Sequence, residues 1–191
     1  TTCAPGLDYQ TLRGNHSRLA MEGMNLMVVY PGTFDPITNG HLDVISHAAR
    51  IFGSLRIAVV KNSPKRLLFS AEERLDLVRR SLDEAGIARV EVELFDSLLV
   101  DYMKRIGAAV FVRGLRANSD FEYEFQMQLM NRRLAPGISG IYLMPAEHNM
   151  YLSSTIVKEI AYYGGDLSNI VQPCVAEALI RRGSRQTGGD R

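Results

Sequence analysis

Apolar positions along this chain follow two rhythms. Short β-rich runs at 26–30, 55–60, 89–94, 108–112 and 140–144 are separated by longer stretches in which apolar residues recur every three or four positions. The first of those stretches predicts a helix at 41–52. In the second, Ser70 and Glu73 form a capping box, and Leu75, Val78 and Leu82 recur at helical spacing until Gly86 stops the helix. Residues 98–106 read as a third helix, and Phe121, Phe125 and Leu129 mark the apolar face of a long amphipathic fourth. Two helices close the chain at 153–163 and 173–182, the second with Pro173 in its first turn, where a missing N–H costs nothing. The order βαβαβαβαβαα predicts an α/β protein with a doubly wound, parallel, five-stranded sheet and C-terminal helices.

The folded unit is expected at 24–182 as one domain. Residues 1–23 mix Pro, Gly, Asn, Ser and Arg without the apolar core of a secretory signal, and Asp8 and Glu22 argue against a transit peptide; they read as a disordered extension ahead of Met24. Residues 183–191, with three glycines, read as a flexible tail.

Composition narrows the function. The 191 residues carry 22 Lys and Arg against 21 Asp and Glu, a net charge of +1, which gives no broad footprint for nucleic acid or an anionic membrane. An anionic ligand must then be bound locally. The apolar runs are far shorter than the roughly 18 residues of a membrane helix. Two cysteines, Cys3 and Cys174, build no disulfide framework, and no Cys/His cluster has zinc spacing, so a reducing cytoplasm is the expected location.

In a doubly wound sheet, ligands bind beyond the carboxyl ends of strands, near the switch in strand order. The segment after the first strand runs Pro31-Gly32-Thr33-Phe34-Asp35-Pro36-Ile37-Thr38-Asn39-Gly40-His41 and delivers His41 to a helix start. Gly32 and Gly40 suit a close approach of backbone to a ligand, and free N–H groups at the helix start attract phosphate. A lone His here would more often cap a turn; the full eleven residues favour a site. After the fourth strand comes Arg113-Gly114-Leu115-Arg116, two guanidinium groups suited to phosphates or to carboxylates such as Asp120 and Glu122. After the fifth, Ser153-Ser154-Thr155 opens a helix with three hydroxyls, of which a plain N-cap explains only one. The basic segment 61–66, Lys-Asn-Ser-Pro-Lys-Arg, reads on composition alone as a solvated loop, and Leu98 and Leu99 as helix core.

The Gly-Thr-Phe-Asp-Pro run and the Thr38-x-Gly-His41 element resemble the nucleotidyltransferase superfamily. Thr38 in place of a first His, the run Asp-Phe-Glu-Tyr-Glu at 120–124, and Lys158 in place of the Arg of a Ser-Ser-Thr-x-x-Arg-type motif are similar to its phosphopantetheine adenylyltransferase branch. The resemblance spans 24–182. It implies a Rossmann-like nucleotidyltransferase fold and reversible transfer of the adenylyl group of ATP to 4′-phosphopantetheine, giving dephospho-coenzyme A and pyrophosphate, a late step of coenzyme A biosynthesis. The implied catalytic residues are His41, Thr33 and Lys65. An ATP site is implied at Thr33, Phe34, His41, Gly114, Leu115, Arg116, Glu124, Asn149, Met150, Tyr151, Leu152, Ser153, Ser154 and Thr155, and a phosphopantetheine site at Thr33, Lys65, Leu99 and Arg113. Magnesium is expected to arrive on ATP with no dedicated protein metal site. A homohexamer and feedback by coenzyme A are also implied. The alternatives are a sister transferase with an acceptor such as nicotinamide mononucleotide, and a non-catalytic nucleotide sensor on the same fold.

Overall fold

Five strands, β1 (Val28–Gly32), β2 (Leu55–Val60), β3 (Val90–Phe95), β4 (Val110–Gly114) and β5 (Ser139–Leu143), form one parallel sheet in the order β3-β2-β1-β4-β5. The structure is a computed structural model and describes residues 26–64, 66–116 and 118–187. The readings made for 1–23, Lys65 and the end of the tail lie outside the described residues.

Side chains alternate across the sheet with the period of two that a strand imposes. Val28, Tyr30, Ile57, Val59 and Val112 face one core, closed by α1 (Asn39–Phe52), α2 (Ala71–Glu84), α5 (Ser154–Tyr162) and α6 (Pro173–Thr187). Val29, Ala58, Phe95 and Phe111 face a second core, together with Val100, Tyr102 and Met103 of α3 (Leu99–Ile106). The helix starts are set locally. Ser70 accepts from the N–H of Glu73, whose carboxylate accepts from the N–H of Ser70, the predicted capping box.

Three differences from the sequence reading have physical causes. The strand expected at 108–112 begins at Val110, because Gly107 takes a left-handed C-cap (φ 70°) and the N–H of Ala108 still bonds the carbonyl of Met103. Residues 113 and 114 therefore belong to β4. The last helix continues past the expected boundary at 182 to Thr187. The third concerns which way α4 (Asn118–Leu134) turns: the helix forms as expected, and the face marked by Phe121 (55% exposed), Phe125 (52%) and Leu129 (53%) points outward. Its inward seam is polar instead, with Glu124 and Asn131 buried and Gln128 between them. Among the described residues no helix is long and apolar enough to cross a membrane.

Candidate active site

The strand order reverses between β1 and β4, and there the carboxyl ends of both strands open onto a cavity of about 290 Å³. Its wall includes Thr33, Phe34, His41, Arg113, Gly114, Arg116, Glu124, Leu152 and Ser154. Three loops, after β1, β4 and β5, thus meet at one place.

The β1 loop is organised by the start of α1. Thr38 is its N-cap: the Thr38 hydroxyl accepts from the N–H of His41, and the N–H of Thr38 donates to His41 Nδ1 at 3.1 Å. This is a capping box in which histidine takes the place of the usual Glu or Gln. With Nδ1 accepting from the Thr38 N–H and the Thr38 hydroxyl 2.8 Å from the same nitrogen, this capping geometry favours the tautomer with the proton on Nε2, and the ring lines the cavity. The ring is also neutral, because burial, assisted by Arg116 and Arg113, pushes its pKa down to about 3. Capping and placement in the cavity wall are therefore one arrangement at His41. Gly40 lets α1 sit close to the carbonyl of Asn149, since an added Cβ would lie 3.3 Å from it. A Cβ at Gly32, which itself lines the cavity, would come within 2.7 Å of the Phe34 ring, so the glycine also makes room for that side chain.

On the opposite wall, Arg113 donates to Glu124 Oε1 from Nε (2.9 Å) and Nη2 (2.6 Å) and to the carbonyl of Pro31 from Nη1 (2.7 Å). Its carboxylate partner is Glu124 of α4, where the sequence suggested Glu122 as one candidate; the reading made for Asp120 lies outside the described side chains. Arg116 donates to the carbonyl of Leu152, which joins the β4 loop to the segment before α5. Tyr30 lies beneath, its phenol pushed up to about 12 by burial and thus a neutral donor. At α5, Ser153 is the N-cap for the N–H of Ile156 (3.1 Å), while Ser154 donates to the carbonyl of Pro36 (2.8 Å) and Thr155 is exposed. Lys158 bonds Asp35 at 2.9 Å. It ties α5 to the β1 loop.

The comparisons with known proteins agree with this geometry. The cytidylyltransferase-like family matches residues 29–160. Over 152 residues, 80% of this chain and 93% of the relative, the sequence is 51% identical to the phosphopantetheine adenylyltransferase of Hahella chejuensis (strain KCTC 2396). The chain belongs to the phosphopantetheine adenylyltransferase family. A solved structure, that of a putative nicotinate-nucleotide adenylyltransferase from Vibrio parahaemolyticus, superposes with a TM-score of 0.64 at 17% identity, covering 82% of this chain and 99% of that one, and supports the fold.

Within this member of the phosphopantetheine adenylyltransferase family, the residues expected at the site separate into groups. Thr33, Phe34, His41, Arg113, Gly114, Arg116, Glu124, Leu152 and Ser154 line the cavity together. Leu115, Asn149, Met150, Tyr151, Ser153 and Thr155 lie outside its wall, on the loops that carry it. Leu99 sits in the first turn of α3 against the second core, apart from the cavity. Tyr30, Tyr123 and Pro145 also line the cavity and were not anticipated. Tyr30 had a signal, as the last apolar position before the loop. Arg74 carries no such signal, because the capping box and apolar spacing of its helix say nothing of where an arginine between them points.

Proposed function

We propose that this chain joins ATP and 4′-phosphopantetheine to form dephospho-coenzyme A and pyrophosphate. The observation that carries the reading is the neutral imidazole of His41, held by Thr38 in the wall of a cavity that Arg113 and Arg116 also line. The acceptor's phosphate oxygen attacks the α-phosphorus of ATP, and the bond from that phosphorus to the bridging oxygen of the β-phosphate breaks, so pyrophosphate leaves. Because the nucleophile is already anionic, no protein base is required, and the protein's task is alignment and charge stabilisation. His41 and Thr33 are assigned to the α-phosphoryl oxygens as they gain charge, with Lys65 assisting. Arg116 and the start of α5 hold the β- and γ-phosphates. Arg113, anchored to Glu124, faces the phosphopantetheine side.

Magnesium is proposed to enter on the triphosphate, whose charge it would shield. Glu124, the carboxylate in the cavity wall, is paired with Arg113, so the ion would be held chiefly by the phosphate oxygens of its substrate. Coenzyme A, which shares the product's pantetheine and adenylyl groups, is proposed to compete for the same cavity. A cytoplasmic location is consistent with the free, buried Cys174. Self-association, up to the hexamer expected for the family, is supported by the outward apolar face of α4.

The test is pyrophosphate release with ATP and magnesium, comparing 4′-phosphopantetheine, nicotinamide mononucleotide and no acceptor, with His41→Ala as control. Release with phosphopantetheine alone, abolished in the variant, is the expected result. Release with only the mononucleotide would move the chain to a sister activity, and ATP binding without release would make it a sensor.

A further inference from the structure

The side chain of Arg74, in the first turn of α2, is fully buried and faces the carboxyl ends of β1 and β2. The ladder between those strands ends at the pair Gly32 and Val59. One residue further on each strand, the carbonyls of Thr33 and Val60 are both bonded to a single nitrogen, Arg74 Nη1, at 2.6 and 2.8 Å. Nη2 donates to the carbonyl of Lys61 at 3.2 Å and Nε to that of Phe69 at 3.3 Å. The guanidinium thus stands in for the next rung of the sheet. It sets the separation at which the β1 loop, with Thr33, and the basic segment after β2 leave their strands. A buried cation normally takes a carboxylate partner. Here four carbonyl dipoles take its hydrogen bonds, all of them in or beside the two loops that flank the reacting phosphates, while the nearby carboxylates of Asp35 and Glu72 favour its charge without bonding it.

We propose that Arg74 is a positioning residue for adenylyl transfer: by bridging the carbonyls of Thr33 and Val60 it fixes where Thr33 stands against the α-phosphate. This rests on the role given to Thr33 under the proposed function. The mechanism requires geometry more than charge, since a displacement of about 1 Å at a reacting group costs on the order of 100-fold. A lysine at 74 can still place one nitrogen between Thr33 and Val60 but forfeits the bonds to Lys61 and Phe69. A methionine fills similar volume and removes the rung.

The test measures steady-state kinetics of Arg74→Lys, Arg74→Met, Thr33→Ala and the doubles, below the melting temperature of each. Arg74→Lys is expected to lower kcat by about 10-fold and Arg74→Met by about 100-fold, each with the KM for ATP within about twofold of wild type. In the Thr33→Ala background the same changes should cost little more, because the group they position is gone. If Thr33→Ala is impaired and the Arg74 losses multiply with it, or if both Arg74 variants keep wild-type kcat and lose only thermal stability, Arg74 is structural and the inference fails while the role of Thr33 stands. If Thr33→Ala itself retains wild-type kcat, the role of Thr33 and the inference fall together. Arg74→Lys, which retains charge and the central bridge, keeps the test open should Arg74→Met not fold.

Discussion

At His41, a single hydrogen-bond commitment determines what the residue can do. Because the N–H of Thr38 occupies Nδ1, the ring is left to donate through Nε2, and because it is neutral, the role given to it under the proposed function is to act on charge that develops rather than on charge already present. His41→Ala should therefore lower kcat by about 100- to 1,000-fold with the KM for ATP changed by less than about threefold. An equal loss of ATP affinity would assign His41 to ground-state binding. The same burial has a consequence for stability. Unfolded His41 takes up a proton below its ordinary value of 6.5, whereas folded His41 does so only near 3, so in that window the unfolded chain binds more protons. His41 thus makes the fold less stable as the pH drops, by about 1.4 kcal/mol per pH unit at the steepest. His41→Gln keeps an acceptor for Thr38 without a titrating ring, so urea midpoints between pH 7 and 4 should fall less steeply than in wild type; parallel slopes would mean that His41 titrates normally. The motif was readable from sequence because backbone and side-chain needs coincide there. Arg74 was not, since an arginine on a helix looks solvated until the sheet places its carbonyls.

Between elements, polar contacts from one helix to another's loop decide how the three loops meet, and these contacts have no local pattern. Lys158 was readable as a cation at the start of α5, but its partner is 123 positions away in Asp35, which also accepts from the N–H groups of Leu68 and Phe69. The pair joins α5, the β1 loop and the approach to α2. Asp35 is almost wholly buried, so Lys158→Met leaves its carboxylate short of a charged partner and should cost about 1.5–3 kcal/mol in urea unfolding. A loss below about 0.5 kcal/mol would mean that water replaces the lysine, as at exposed pairs. Element order and type were readable throughout, because strands buried on both faces and capped helices carry their own signals. The shift of β4 was not, since Ala108 and Ala109 suit a strand and the left-handed turn at Gly107 decides otherwise.

For the whole molecule, α4 reverses the usual reading of amphipathicity. Periodicity identifies a helix with an apolar face; it does not say whose core that face enters. Here the polar seam of Glu124, Gln128 and Asn131 faces the chain's own sheet, with Glu124 holding Arg113 in the cavity wall, and Phe121, Phe125 and Leu129 face outward. Phe121 and Phe125 stack with centroids 5.8 Å apart, which presents them as one continuous surface. An outward apolar face of this kind suits self-association, the reading given under the proposed function. Phe125→Glu with Leu129→Glu should lower the mass seen by sedimentation velocity toward that of the 21.3 kDa chain, while leaving the unfolding free energy of the separated chain within about 0.5 kcal/mol, since both side chains are exposed in it. An unchanged mass would place the contact elsewhere. Because Glu124 lies on the same helix, the test also reaches the site: if association steadies α4, the separated double variant should bind phosphopantetheine more weakly than the assembled enzyme, and equal affinity would show that Arg113 and Glu124 hold their wall unaided.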